Sequence, residues 1–282
     1  MSFEELLKMA QEGNVVAQSQ IGADYFFGNN ILQDIEKGIY WLTKAAEQGE
    51  GFAQYNLGRI YSDNTHTTGD LRNIEKAIYW YTKAAEQEDA GAQNNLAAIY
   101  AHGTDIHQDI NKAVYWLTKA AENGHAKAQY TLGLCYDNGN GVPKDHEKSF
   151  WWYLKSAEQG YSKAQFEVGY AYYHGIGVAK DIEKAYYWYT HSAQLGFDNA
   201  QHNLADLYFN GIGGSKDFSK AISLWLKAAE QGYAPSQYNL GIAFYNGIGV
   251  LKETKMAIYW LSKAAEQNFE EAKQFLTHIN KD

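Results

Sequence analysis

The sequence predicts an all-α chain of about seven stacked helical hairpins, and three observations carry this prediction. A phrase of the type AQYTLGLCYDNGNGV recurs along the chain, a second segment such as KAIYWYTKAAEQ follows each copy, and glycine and aspartate stand between the two. Self-similarity at a fixed period is typical of helical repeat proteins. The copies start at Ala17, Ala53, Ala92, Ala128, Ala164, Ala200 and Ser236.

The period between copies is 36 residues, except for one interval of 39. The three extra residues lie in SDNTHTTGDLR, the loop at 62–72, where the usual Gly-x-Gly is absent. This loop is the one place where the repeat pattern is interrupted, and the sequence leaves its role open.

The first segment of each copy predicts an α-helix, helix A. In AQYNLGRIY, the residues Ala53, Leu57 and Tyr61 are four apart and therefore lie on one stripe of a helix. Glycine tolerates the left-handed conformation of a helix end, so the Gly-x-Gly pairs after helix A predict its C-terminus. The pairs are Gly139 and Gly141, Gly175 and Gly177, Gly211 and Gly213, and Gly247 and Gly249.

The second segment predicts helix B of the hairpin. Aspartate side chains accept hydrogen bonds from the first free amides of a helix, so the acids before this segment are predicted N-caps. They are Asp34, Asp109, Asp145, Asp181 and Asp217, and the segment ends at Gly49, Gly124, Gly160, Gly196 or Gly232. Small residues in both helices allow the two backbones to approach closely while Leu, Tyr and Trp fill the space around them.

Partial copies stand at both ends of the chain. FEELLKMAQEGN and EEAKQFLTHINKD each predict a helix that covers the last apolar face of a stacked array. We therefore expect one repeat domain over 1–282, with an N-terminal capping helix within 1–16 and a C-terminal capping helix within 272–282.

AQYTLGLCYDNGNGV followed by KSFWWYLKSAEQG resembles the Sel1-like repeat (SLR), a relative of the tetratricopeptide repeat with a longer loop. The resemblance covers essentially the whole chain. It implies a right-handed α-solenoid, an α/α superhelix, whose members act as adaptors or binding scaffolds and are common in bacteria. Export signals and paired cysteines occur in some members and are absent here, and the sixth copy carries Trp225 one place after the usual Trp position.

Composition excludes several classes of function. A net charge of -9 argues against binding to nucleic acid or anionic lipid, and it favours a basic partner. Neither a secretory apolar run nor a membrane-spanning stretch is visible, so we expect a cytoplasmic protein without membrane insertion. The single cysteine, Cys135, is predicted to be a packing residue. The oligomeric state and the identity of the partner stay open.

One face of helix A predicts a binding surface. Counting the first residue of each copy as position 0, positions 0, 1, 4, 5 and 8 barely change, whereas positions 2, 6 and 9 vary and cluster within roughly 60°. In tetratricopeptide-like arrays this face lines the concave groove, and rigid aromatic residues are the usual interface anchors. The predicted partner-binding residues are Tyr55, Arg59, Tyr130, Leu134, Phe166, Tyr170, Tyr173, His174, Asp206, Phe209, Tyr238 and Tyr245. The alternative is that these rings pack between adjacent A helices.

Sequence motifs for catalysis, cofactors or metals are absent. The chain has no His-Glu-x-x-His, no phosphate-binding Gly-x-x-x-x-Gly-Lys-Ser/Thr and no Cys-x-x-Cys, and the nearest central histidines, His102 and His107, do not share a helix face. We therefore predict a non-enzymatic scaffold that binds a protein or peptide and takes no cofactor. The alternatives are an inhibitor or immunity protein that sequesters a toxic effector, and a hydrolase that acts on cell-wall material.

Overall fold

The computed structural model describes residues 2–29, 31–63, 72–103 and 106–279, and all regular structure in these ranges is α-helical. The helices are α1 Phe3–Gln11, α2 Val15–Phe27, α3 Ile35–Glu47, α4 Gly51–Ser62, α5 Ile74–Glu86, α6 Ala90–His102, α7 Ile110–Glu122, α8 Ala126–Asn138, α9 His146–Glu158, α10 Ser162–His174, α11 Ile182–Gln194, α12 Asp198–Asn210, α13 Phe218–Glu230, α14 Ala234–Asn246, α15 Thr254–Glu266 and α16 Glu270–Ile279. This order confirms the predicted alternation of helices A and B.

Two compact units divide the chain. The first unit is Met1–Cys135 with Gly139–Pro143, and the second unit is Tyr136–Asn138 with Lys144–Asp282. The single domain expected over 1–282 stays a prediction. Residues 64–71 of the irregular loop and residues 280–282 of the expected C-terminal cap lie outside the described residues.

The terminal helices cover the ends of the stack within each unit. Helix α1 places Leu6 and Ala10 in a buried cluster with Ala17 and Ile21 of α2. Helix α16 starts at Glu270, the first residue of the partial copy EEAKQFLTHINKD and two residues before the expected boundary at 272, and its Ala272 is buried against α15. Each end therefore buries apolar surface that a free hairpin would expose to water.

Glycine in helix A sets the distance to helix B. A methyl group on Gly22 would lie 2.7 Å from the backbone nitrogen of Leu42, and one on Gly169 would lie 2.8 Å from the ring of Tyr189. Both distances are shorter than non-bonded atoms tolerate, so the closely packed hairpin requires glycine at these places. The small residues of the repeat have the packing role that the sequence predicts.

The predicted helix ends are confirmed. Each of the five capping aspartates accepts a hydrogen bond from the backbone amide three residues later, as Asp34 does from Lys37 at 3.0 Å. The first glycine of each Gly-x-Gly pair ends its helix in the left-handed region, with φ of 76° at Gly139 and 70° at Gly211.

The glutamine at position 1 links each A helix to the helix before it, which is a B helix or, for Gln18, the capping helix α1. Its side-chain amide donates to a backbone carbonyl near the end of that helix. In five repeats its side-chain oxygen also accepts a hydrogen bond from the glutamine or asparagine that caps the next B helix. The first bond joins Gln18 to Ala10, Gln54 to Ala46, Gln93 to Ala85, Gln129 to Ala121, Gln165 to Ala157, Gln201 to Ala193 and Gln237 to Ala229. The buried glutamine thus satisfies a helix-end carbonyl that would otherwise lack a donor.

Candidate functional site

Positions 6 and 9 of the A helices line three adjoining cavities in the second unit. Their volumes are about 60, 240 and 240 Å³. Tyr170 borders the first and second cavities, and Asp206 borders the second and third. We call this surface the second-unit groove, defined by Asp137, His146, Glu167, Tyr170, Tyr173, His174, Asp206, Phe209, Trp225 and Asn239.

The aromatic residues of the groove are held by neighbouring rings. The Tyr170 ring lies 4.1 Å from the His174 ring, centroid to centroid, and 38% of Tyr170 is exposed. Phe209 is half-buried, and its ring lies 4.9 Å from that of Trp225. Trp225 itself is buried in the place that Tyr189 takes in the fifth repeat, which explains the shifted Trp of the sixth copy. The groove is therefore preorganised and partly open to solvent.

Glu167 is a half-buried carboxylate without a counter-ion. Among the described residues it has no hydrogen-bond or ion-pair partner, and burial, with a smaller contribution from Asp137, raises the pKa of Glu167 to about 7. Asp137 has a hydrogen-bonding neighbour, since its Oδ1 lies 2.8 Å from Nδ1 of His146. The first cavity thus contains two carboxylates and one histidine.

Asp206 stands at the centre of a hydrogen-bond network. Its Oδ1 accepts from Nε1 of Trp225 at 2.9 Å and from Nδ2 of Asn239 at 3.3 Å, and its Oδ2 lies 3.4 Å from Nε2 of His202. The other ring nitrogen of His202 lies 2.8 Å from Oγ of Ser236. Burial raises the pKa of Asp206 and lowers that of His202. Asp206 nevertheless keeps 40% of its side-chain surface accessible from the groove side.

Residues at position 2 pack between repeats. The Phe166 ring lies 5.4 Å from Phe197, and the Tyr238 ring lies 5.4 Å from Phe269. Tyr245, at position 9 of the last repeat, packs edge-on at 5.3 Å against Phe275 of α16. For these rings the geometry favours the packing alternative over the binding hypothesis.

The first unit separates the remaining predicted residues. Tyr55 and Arg59 border a cavity of about 540 Å³ together with Tyr81, and the Arg59 guanidinium lies 5.9 Å from the Tyr55 ring. Tyr130 and Leu134 on α8 are half-buried and are not among the residues that line this cavity. The four predicted residues of the first unit therefore do not line one cavity.

A row of exposed rings on the B helices was not predicted from the sequence. We call it the outer row: Tyr40, Tyr79 and Tyr115 in the first unit, and Trp151, Tyr187 and Tyr259 in the second. About half of each side chain is exposed, and each ring packs edge-on against the next residue, a tryptophan. Recurrence of an aromatic residue just before the tryptophan was the available signal.

The described residues offer little for catalysis. They contain no group of three His, Cys, Asp or Glu side chains that could hold a metal ion. Cys135 is half-buried, and burial raises the pKa of its thiol, which disfavours the nucleophilic thiolate. Within these ranges, no helix combines the length and apolar character needed to cross a membrane.

Comparison with known proteins gives the same repeat pattern. The Sel1 repeat profile matches residues 15–50, 51–89, 90–125, 126–161, 162–197, 198–233 and 234–269. Each match begins two residues before the start that we derive from the Ala-Gln phrase. A segment of 61 residues is 38% identical to an ERAD-associated E3 ubiquitin-protein ligase component, HRD3A, of Arabidopsis thaliana, and it spans 21% of this chain and 9% of that protein.

Two solved structures are similar along nearly the whole chain. A protective antigen of uropathogenic Escherichia coli with an SLR fold is 34% identical, with a TM-score of 0.92 over 99% of this chain and 59% of that protein. A Sel1 repeat protein from Oxalobacter formigenes is 33% identical, with a TM-score of 0.75 over 98% of this chain and 79% of that protein. The predicted α-solenoid is thereby confirmed. With seven matched repeats and these relatives, the chain belongs to the Sel1 repeat family.

Proposed function

We propose that this chain is a non-catalytic scaffold whose second-unit groove binds an extended segment of a protein partner that carries basic side chains. Sel1 repeat proteins generally mediate protein–protein interactions. The observation that supports the finer proposal is the groove lining, where three carboxylates alternate with aromatic rings. No lysine or arginine lines the three cavities in the part of the chain that the structure describes.

Electrostatics favour a cationic side chain at this place. Glu167 is partly desolvated in the free protein, so a lysine or arginine that arrives nearby favours its charged form without a large additional desolvation penalty. Tyr170 is 38% exposed, so its ring can contact the same cation, which aromatic rings attract through their quadrupole. Aromatic anchors and carboxylates together therefore select a segment in which basic and apolar side chains alternate.

The outer row is less suited to a basic partner. Lys44 lies 5.0 Å from the Tyr40 ring centroid, and Lys155 lies 5.5 Å from that of Trp151. These rings already have cations over their faces. These two lysines would repel a basic segment. The second-unit groove also has a lysine nearby, since Lys180 lies 5.5 Å from the Tyr173 ring centroid, but it presents three carboxylates as well.

Selection from a random peptide library against the full chain tests the proposal. Selected peptides should be rich in Lys or Arg spaced by apolar residues, and calorimetry should show weaker binding as NaCl rises from about 50 to about 500 mM. We expect Tyr170→Ala and Tyr173→Ala to weaken binding about tenfold, the loss typical of an interface anchor.

Tyr187→Ala is the matched control, because it removes the same side chain from the outer row of the fifth repeat. It should leave the affinity unchanged. Selected peptides without basic residues, or a loss of binding on Tyr187→Ala but not on Tyr170→Ala, would show that the groove is not the binding surface.

A further inference from the structure

A cavity of about 680 Å³ opens in the first unit between α6, α7 and α8. Its wall is largely apolar, with Ala98, Ala101, Ile110, Val114, Leu117 and Cys135 among the lining residues. Ala98 is exposed and Ala101 half-buried, so the cavity opens on positions 6 and 9 of helix A. Cavities of this size and apolar character are typical of ligand-binding sites.

The cavity exists because the third repeat lacks a bulky pair that other repeats possess. The residue at position 9 of helix A faces a residue on helix B, which in the third repeat lies 16 residues later in the sequence. In each of the other six repeats, at least one member of this pair is aromatic. The pair is Phe26 and Leu42, Ser62 and Tyr81, Asp137 and Tyr153, Tyr173 and Tyr189, Phe209 and Trp225, or Tyr245 and Leu261. In the third repeat both members, Ala101 and Leu117, are small or aliphatic.

The sixth repeat shows which group fits the vacant space. There the Phe209 ring packs 4.9 Å from Trp225 and 5.1 Å from Phe218, centroid to centroid. The counterparts of Trp225 and Phe218 in the third repeat are Leu117 and Ile110, and both line the cavity. A ring that enters over Ala101 would therefore meet the apolar wall that a ring of the chain itself contacts elsewhere.

We propose that this cavity binds an aromatic side chain of a protein partner, as the third repeat's substitute for the ring that its own sequence omits. This inference rests on the proposed scaffold function for its occupant, but it concerns a separate site in the other unit. The open mouth over Ala98 and Ala101 admits a side chain, and Asn94, Gln108 and Lys127 at the lining provide polar groups for the flanking backbone.

Cys135 gives a direct readout, because it is the only cysteine of the chain and lines the cavity. The probe is N-acetyl-tryptophanamide, and the measurement is the rate at which a thiol reagent labels Cys135 in the full chain. We expect saturable protection at about millimolar probe. N-acetyl-glutamine amide, which has no ring, should give none.

Two variants fill the cavity from opposite sides. Ala101→Phe adds the ring that the sixth repeat carries on helix A, and Leu117→Trp adds the one that it carries on helix B. Each should reduce the protection by the probe at least about tenfold and leave the melting temperature within about 5 °C of the parent. Asn111 is exposed on α7 and does not line the cavity, so Asn111→Phe should leave the protection unchanged.

The outcomes separate this inference from the groove proposal. Tyr170→Ala should not alter protection of Cys135, even if it abolishes peptide binding. Absence of protection in the parent chain overturns the inference, as does protection that survives both filling variants. A fall of more than about 5 °C in both variants would also overturn it, because the space for a ring would then be missing.

Discussion

Leu195 interrupts the series of side-chain hydrogen bonds between glutamines of successive repeats, and Leu195→Gln is expected to restore the missing bond. In the sixth and seventh repeats, Nε2 of Gln231 donates to Oε1 of Gln201 at 2.9 Å, and Gln267 donates to Gln237 at the same distance. The corresponding donor for Gln165, 30 residues later, is replaced by Leu195. Oε1 of Gln165 is buried and has no hydrogen-bond partner among the described residues.

The expected gain is about 1 kcal/mol. A buried acceptor left without a donor costs about 1–3 kcal/mol, and a newly formed hydrogen bond contributes about 1 kcal/mol net. The lower end applies, because a glutamine side chain loses rotamer freedom when it is ordered. Leu195 is 60% exposed, so little apolar burial is lost when it is replaced.

Thermal unfolding followed by circular dichroism should show a rise of about 2 °C for a chain of this length. Hydrogen exchange is the complementary measurement, since repeat arrays open locally, and protection should increase in α10 and at the C-terminal end of α11, the two helices that the new bond joins. Leu195→Glu is the control, because it has nearly the shape of glutamine but no amide donor. Equal melting temperatures for the Gln and Glu variants would refute the reasoning.

Two further predictions concern packing and pH. Gly22→Ala should lower the free energy of unfolding by about 2 kcal/mol in urea titrations, because overpacking at Leu42 outweighs the gain in helix propensity. Gly51→Ala is the control and should not lower it, because the nearest neighbour of the added methyl group lies 3.8 Å away. Burial raises the pKa of Glu167 to about 7 in the folded chain, above the ordinary glutamate value of 4.5, so the free energy of unfolding should fall as pH rises between these values. Glu167→Gln should remove this decline and raise the free energy of unfolding by about 2 kcal/mol at pH 8. A variant with the same pH dependence as the parent chain would show that Glu167 does not cause the decline.

The sequence predicted those features that depend on neighbours within one helical turn or one repeat. The N-cap bond from Lys37 to Asp34 spans three residues, and the left-handed turn at Gly139 needs only a residue without a side chain. Repetition made these local signals clear, because seven copies show the same residue types at the same positions. Helix order, most helix ends and the repeat family follow from such patterns.

Much of the candidate site could not be predicted, because positions 2, 6 and 9 share one helix face. Whether a residue at these positions is buried or lines the groove depends on the side chains of the next helix. Phe166 and Tyr170 are one turn apart, yet Phe166 packs against the following repeat while Tyr170 lines the groove. Glu167 looks like a surface acid in sequence, and its raised pKa appears only once burial is known.

The sequence by itself determined a linear array of helical hairpins, since helix starts, helix ends and close hairpin packing depend on local residues. Only the tertiary structure decided which variable side chains face solvent, which pack between repeats, and that Ala101 and Leu117 leave a cavity between them. The physical reason is that burial and cavity volume depend on side chains from several helices together, and no single stretch of sequence contains them all.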